Sequence, residues 1–294
     1  MSTLDARLKS RLATGALIVV PGVASALTAR IGVDVGFDVL YVTGAGVANT
    51  FLGIPDLGLL TLTQIADHVA AISDAVDTPL IVDADTGFGN AISVGHTVRV
   101  LQRAGAHAIQ LEDQVAPKRC GHFAGKQVIT AAEMETKVKA AVDARDGDSF
   151  LVMARTDARA ITRIDEAIER GQRYAAAGAD IVFVEAPRNI EELGRVAAEI
   201  DAPTVINIVE GGLTPSISHA EMRELGFGIA LYANLALLAM VGGVTRSLGQ
   251  LRAGQTVFSD IASWEDRQRL VSKPQFDALE ERYSWSHGKG LHHA

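Results

Sequence analysis

The chain has 294 residues, 48% of them hydrophobic, enough for a sizeable core in two ordinary domains or one large α/β barrel. Its 27 Lys+Arg against 35 Asp+Glu give a formal net charge of -8, which excludes a broad basic footprint for nucleic acid and favours small-molecule chemistry. A single cysteine excludes an intrachain disulfide and a thiolate zinc cluster and agrees with a reducing, cytoplasmic compartment.

In chain order, Met1 to Arg11 alternates charged and small residues and lacks the basic and apolar regions of a signal peptide. Ala16 to Val20 is a short apolar run closed by Pro21-Gly22, which reads as a buried strand followed by a turn. Val39 to Thr43 repeats the pattern before Gly44-Ala45-Gly46, and Leu80 to Val82 leads into Asp83-Ala84-Asp85-Thr86-Gly87. Ala108 to Leu111 precedes Glu112-Asp113, Phe150 to Ala154 precedes Arg155-Thr156-Asp157, and Ile181 to Val184 precedes Glu185. Thr204 to Ile206 then leads into Asn207, and Gly228 to Leu231 into Tyr232-Ala233-Asn234. The weakly polar stretch from Gly228 to Val244 is interrupted by Tyr232 and Asn234 and is shorter than the about 20 residues of a membrane span, so no membrane partner is expected.

Short apolar strands alternating with amphipathic stretches such as Ile164 to Ala177 and Asn189 to Ile200 imply a parallel sheet covered on both faces. Eight such units in a chain of this length predict a single (β/α)8 barrel over residues 1–250. Ala104-Gly105-Ala106 and Ala177-Gly178-Ala179 form a faint repeat in which each glycine ends a helix ahead of the next strand. Leu235 to Leu251 and Ser263 to Tyr283 both read as helical. Residues 251–294 are therefore expected to form a helical tail, with Trp264 and Trp285 suited to packing on a neighbouring subunit, the alternative being a solvated tail folded on its own barrel.

In such a barrel the strand ends converge on one face, gathering Thr43, Asp83, Asp85, Glu112, Arg155, Glu185 and Asn207. Several carboxylates in one place repel each other unless a cation is present, and oxygen donors suit Mg²⁺, with Mn²⁺ as a substitute. Asp83 and Asp85, two apart, would face the same way in a continuing strand; the alternative is a turn with its carboxylate bonded to backbone amides. Arg155 is expected either to hold a substrate carboxylate or to pair with Asp157 or a neighbouring strand end. The amides of Gly44-Ala45-Gly46 form a turn able to receive an anion. Cys120 lies among Lys118, Arg119 and His122, which favour a reactive thiol, inside a long polar connection from Lys118 to Thr130 able to act as a lid.

These motifs together resemble the isocitrate lyase and phosphoenolpyruvate mutase superfamily. The resemblance runs from Tyr41-Val42-Thr43-Gly44 through Leu52-Gly53-Ile54-Pro55-Asp56, Val82 to Gly89, Glu112-Asp113-Gln114, Lys118 to His122, and Met153 to Asp157. The Lys118-Arg119-Cys120-Gly121-His122 element looks like the lid of the lyase branch, whereas the phosphonate branch typically has asparagine at the cysteine position. The resemblance implies a homo-oligomer, a dimer or a dimer of dimers, with the last barrel helix exchanged between subunits. It implies Mg²⁺ held directly by Asp83, with Asp56, Asp85 and Glu112 acting through water. Thr43, Gly44 and Ala45 would bind the 2-oxygen and carboxylate of a pyruvate-like half, with Gly121, His122, Glu185 and Asn207 lining the site. Arg155 would neutralise developing negative charge, Cys120 would protonate the departing fragment, and Tyr41 is the candidate for taking up the hydroxyl proton.

Two positions depart from the methylisocitrate enzymes. Leu238 stands where an arginine is expected, and Val209 where a polar residue is expected. Loss of a guanidinium leaves a substrate carboxylate without a charged anchor, predicting a smaller or more apolar 2-hydroxy or 2-oxo dicarboxylate, such as a 2,3-dialkylmalate. Arg267 in the tail is a candidate substitute cation. The expected activity is carbon–carbon cleavage of a substituted malate to pyruvate or a related α-keto acid. The competing expectations are 2-methylisocitrate lyase, oxaloacetate hydrolase or decarboxylase, phosphonopyruvate mutase or hydrolase, and a non-catalytic dicarboxylate-binding barrel.

Overall fold

The computed structural model describes residues 3–118, 125–255 and 261–284. Eight parallel strands close into a barrel in strict chain order: β1 (Ile18–Val23), β2 (Leu40–Val42), β3 (Leu80–Asp83), β4 (Ala108–Glu112), β5 (Leu151–Thr156), β6 (Ile181–Val184), β7 (Thr204–Asn207) and β8 (Ile229–Tyr232). The last strand returns to the first, with Ile18 opposite Ile229. Helices such as Leu62–Ala75, Ala91–Arg103, Ala131–Ala144, Ile164–Ala176 and Ile190–Glu199 cover the outside. Many start on a residue whose side-chain oxygen accepts first-turn amides, among them Thr61, Asn90, Thr130 and Asn189. Each such cap contributes about 1 kcal/mol. The repeat glycines Gly105 and Gly178 have φ 102 and 107, left-handed values that let the chain leave a helix for the next strand.

The strand period of two explains how one sequence builds both a core and a site. Ile81, Ala108, Leu151, Met153, Ile181, Phe183 and Val205 fill the barrel interior. Continuing in steps of two along the same faces reaches Asp83, Glu112, Arg155, Glu185 and Asn207. The alternate residues, Val82, Ile109, Leu111, Val152 and Ala154, pack outward against Val94, Val98, Leu101, Met134 and Val138 of the helices. Apolar side chains therefore close the barrel floor, and charged ones crowd its C-terminal mouth.

One local expectation changes. Pro21-Gly22 does not end the first strand as a turn, because β1 runs on to Val23 with Gly22 in register with Tyr41. Gly22 is needed for close approach: a Cβ there would stand 2.0 Å from the carbonyl oxygen of Ala233.

The chain divides into two compact units, Met1–Gly243 and Val244–Ala294, so the division falls within the helix Leu235–Arg252, upstream of the 250/251 boundary expected from the sequence. That helix buries none of its residues and leaves Leu235, Leu238, Val241, Val244, Leu248 and Leu251 exposed. In the C-terminal unit, the stretch expected as one helix from Ser263 to Tyr283 is two, Trp264–Leu270 and Lys273–Tyr283, separated where Ser272 adopts φ 57. Among the described residues no helix is long and apolar enough to cross a membrane.

Candidate active site

A cleft opens at the barrel mouth, lined by Tyr41, Thr43, Ala45, Asp56, Asp83, Glu112, Lys118, Arg155, Phe183, Glu185, Asn207, Val209, Leu231, Ala233 and Asn234. Sheet register builds its centre: Glu112 pairs with Arg155, and Arg155 with Phe183, so three neighbouring strands deliver these side chains side by side. The Arg155 guanidinium lies 5.1 Å over the Phe183 ring and reaches Glu185 at 3.3 Å and Glu112 at 3.5 Å. Asp157 grips the same guanidinium at two points, receiving Nε at 2.9 Å and NH2 at 3.0 Å. Of the two alternatives open for Arg155, the ion pairs with Asp157 and the neighbouring strand ends are formed, and the same side chain lines the cleft.

Asp157 is fully buried and also accepts the Lys126 ammonium at 2.7 Å. Burial alone would raise its pKa, but Arg155 and Lys126 outweigh that and hold the carboxyl below its ordinary range. Beneath it, Asp113 accepts Thr156 Oγ1 at 2.7 Å, the Asp157 amide at 2.9 Å, Tyr174 at 2.7 Å and Arg170 at 3.2 Å. This buried network fixes the backbone that carries Arg155.

Across the cleft lies the acidic group. Asp83 ends β3, and its carboxylate accepts the Gly44 amide at 3.2 Å, the Asp85 amide at 3.1 Å and the Gln110 side-chain amide at 3.3 Å. Asp85 does not follow in the strand: it turns into the left-handed region at φ 47, and the Gly87 amide closes the turn on Ala84. The convergence of Asp83 and Asp85 thus comes from this turn, the second of the two arrangements open in the sequence, and not from strand alternation. Gly44 permits it, since a Cβ there would stand 3.0 Å from Asp83 Oδ2 and 3.5 Å from Asp85 Oδ1. The Gly44 amide is engaged by Asp83, and that of Gly46 by Thr43 Oγ1 at 3.3 Å, which leaves this turn fewer donors for an anion than expected.

Lys118, read from the sequence as a cation beside Cys120, instead joins the acidic group. Its ammonium lies 2.6 Å from Asp56 Oδ1 and 2.8 Å from Asp85 Oδ1. Burial would lower its pKa, but Asp85, Asp83, Glu112 and Asp56 together push it well above the ordinary lysine value. Burial pushes Asp85 up to about 6 against the opposing pull of Lys118, and pushes Glu112 up well above the ordinary carboxylate range against Arg155. Tyr41 donates its hydroxyl to Gln110 at 2.7 Å, and burial, reinforced by Asp83, raises its pKa. A phenol that donates and resists ionisation is poorly placed to accept the hydroxyl proton; it positions Gln110, which positions Asp83.

The oxygen-only donor set of Asp56, Asp83, Asp85 and Glu112 suits a hard divalent cation. Glu112 Oε1 is buried without a hydrogen-bond partner, as an acceptor awaiting a cation or its water would be. Among the described residues no three His, Cys, Asp or Glu side chains are grouped closely enough to chelate an ion directly.

Leu238 is 45% exposed on the helix Leu235–Arg252 and does not line the cleft, whereas Val209 does. Arg267 belongs to the C-terminal unit, where its guanidinium lies 3.9 Å over the Trp264 ring. Cys120, Gly121 and His122 lie outside the described residues. Lys126, Gln110 and Phe183 are site residues not singled out from the sequence, while Asp157 takes the pairing with Arg155 that the sequence offered as one of two alternatives.

Residues 8–252 match the family described as phosphoenolpyruvate phosphomutase. The chain is 47% identical over 282 residues to 2,3-dimethylmalate lyase of Eubacterium barkeri, covering 95% of this chain and 98% of that one. It is 42% identical over 257 residues to a 2-methylisocitrate lyase of Aeropyrum pernix, covering 87% and 79%. Its fold superposes on a solved 2,3-dimethylmalate lyase with TM-score 0.91 at 34% identity over 100% of both chains. It also superposes on a phosphonopyruvate hydrolase solved with oxalate and Mg²⁺, with TM-score 0.87 at 29% identity over 96% and 99%. The barrel, the acidic group at its mouth and these matches together make the chain a member of the phosphoenolpyruvate mutase and isocitrate lyase superfamily.

Proposed function

We propose that the chain is a cytoplasmic, Mg²⁺-dependent carbon–carbon lyase that cleaves a substituted malate, such as 2,3-dimethylmalate, to pyruvate or a related α-keto acid and a carboxylate. The observation that carries this reading is the pairing, across one cleft, of the Asp83 group with Arg155 held in place by Asp157. The 47% identity to a 2,3-dimethylmalate lyase supports the substrate class.

Asp83 would hold the ion, with Asp56, Asp85 and Glu112 reaching it through water, and Mn²⁺ would substitute. The ion supplies positive charge where the substrate's 2-oxygen becomes negative. Arg155 adds a second, preorganised positive charge, which is worth most in a site that excludes water. Thr43 and Ala45 border the pyruvate-like half, and Asn207 and Glu185 its other side. In the reaction the 2-hydroxyl would pass its proton to a carboxylate lining the cleft, the C2–C3 pair would move to C3, and C2 would become the keto carbon. The released fragment, carrying the pair as an enolate-like carboxylate, takes its proton from the Cys120 thiol. Phe183, Val209, Leu231 and Ala233 give the cleft apolar surface suited to alkyl substituents rather than to a third carboxylate.

The exposed apolar residues of the helix Leu235–Arg252 support assembly as a dimer of dimers in which C-terminal helices are exchanged between subunits, with residues 251–294 packing on a neighbour. A coupled pyruvate assay over alkylmalates, methylisocitrate, oxaloacetate and phosphonopyruvate tests the function. Preference for dialkylmalates is expected, and turnover of phosphonopyruvate alone would sink it.

A further inference from the structure

The acidic group already contains a cation. The Lys118 ammonium lies 2.6 Å from Asp56 Oδ1 and 2.8 Å from Asp85 Oδ1, and its side chain is only 4% exposed. The two carboxylates it bridges are themselves 13% and 12% exposed. An ammonium so enclosed needs acceptors for its three donors, and carboxylates so enclosed need a counter-charge. The position is built: Gly58, with φ +67, lets the segment after Asp56 lie directly on Lys118, and a Cβ there would stand 3.3 Å from the Lys118 amide and 3.4 Å from Cγ.

This arrangement bears on the ion that the same carboxylates would serve. Mg²⁺ keeps several waters, and those waters donate hydrogen bonds outward to surrounding carboxylates. One oxygen of each of Asp56 and Asp85, the Oδ1 in both, faces Lys118, so the ammonium and such waters draw on the same two carboxylates. A double positive charge and a single one drawn to the same two carboxylates also repel each other across a poorly screened interior. Asp83 is placed differently: its carboxylate is held by amides of Gly44, Asp85 and Gln110, so the direct ligand is set before any ion arrives.

We propose that Lys118 is a resident counter-ion of the site that competes with the divalent ion for Asp56 and Asp85, so that ion binding requires its ammonium to release at least one of them. The inference rests on the ion-dependent reading above. Its sign separates it from the ordinary role of a site residue, since removing the ammonium should tighten ion binding. By reciprocity, the ion should loosen Lys118 as much as Lys118 weakens the ion.

The test is a Mn²⁺ titration of metal-stripped protein, followed by the electron paramagnetic resonance of free Mn²⁺. Lys118→Met is expected to bind at least about tenfold more tightly than the unchanged chain, and Lys118→Arg to restore weak binding. Equal or weaker binding by a folded Lys118→Met protein overturns the proposal while leaving the ion reading intact. Absence of Mn²⁺ binding by the unchanged chain overturns both. A second measurement needs no variant: acetylation of Lys118 by acetic anhydride, followed by mass spectrometry, should quicken severalfold when saturating Mg²⁺ is added. An unchanged or slower rate overturns the proposal.

Discussion

Replacing Asp157 by Asn tests whether a buried carboxylate holds Arg155 in its working position. The substitution keeps shape but removes one acceptor oxygen and the negative charge. Three charged hydrogen bonds converge there, at 2.9, 3.0 and 2.7 Å, from two Arg155 nitrogens and Lys126. Arg155 NH2 and Lys126 share Oδ1, so an Asn that keeps its carbonyl oxygen there loses one of the three bonds, the one from Nε, and turns an N–H toward that nitrogen. At about 1.5 kcal/mol for the lost hydrogen bond and a similar amount for two buried cations left facing a neutral acceptor, the loss is about 3 kcal/mol, which is the lower end expected for breaking a buried ion pair. The lower end applies because Glu185 and Glu112 still face the guanidinium at 3.3 and 3.5 Å. With its grip halved, the guanidinium tilts, and misplacement of a catalytic group by about 1 Å can reduce kcat/KM about 100-fold. Urea denaturation and pyruvate-release kinetics on the same preparation check both. A change in stability below about 0.5 kcal/mol with unchanged kcat/KM would refute the reasoning, because a grip of three charged bonds cannot vanish silently.

Further outcomes follow from the acidic group and from Cys120. Gly44→Ala places a methyl 3.0 Å from Asp83 Oδ2, so Mg²⁺ affinity measured by calorimetry should weaken about tenfold, or about 1.4 kcal/mol, with little change in urea midpoint; unchanged affinity would show that Asp83 tolerates displacement. Asp85 is pushed up to about 6, so Mg²⁺ binding should weaken as pH falls through about 6, approaching tenfold per unit where one proton competes. The stability contribution has the opposite sign, since a carboxyl with a raised folded pKa takes up a proton on folding: in EDTA its stabilisation should be present at pH 4 and be lost as pH rises through about 6, and a Mg²⁺ affinity flat from pH 7.5 to 5 would contradict the assignment. Cys120→Ser should lower turnover about 100-fold or more while leaving Mn²⁺ affinity unchanged, and full activity would remove the thiol as the acid.

The barrel was legible because its signal is repetitive: eight apolar runs, each ending in polar residues, admit few other arrangements. The strand ends were legible for the same reason, since register and a period of two carry Glu112, Arg155, Glu185 and Asn207 to one rim. What escaped the sequence depends on turns and on long-range charge. Asp85 reaches Asp83 through a left-handed turn that strand periodicity cannot describe, and Gly44 matters through contact with a residue 39 positions away. Lys118 was read only as a cation beside Cys120, and Lys126 drew no reading, because neither residue's neighbours in sequence show what it pairs with when buried. Their partners, Asp56 and Asp85 for one and Asp157 for the other, come from separate parts of the chain.

Charge balance is the constraint that such a reading omits. Listing Asp56, Asp83, Asp85 and Glu112 raises the question of which cation neutralises them, and a divalent ion is the immediate answer. The folded chain supplies another, a lysine sealed between two of the four. A protein must fold and persist before it meets its ion, and unpaired buried carboxylates would oppose that. Lys118 resolves the conflict in the ion-free state, and the same solution weakens the ion when it arrives. The affinity of the site is then a difference between two cations' claims on Asp56 and Asp85, which is why the sign of the Lys118→Met effect carries more information than its size.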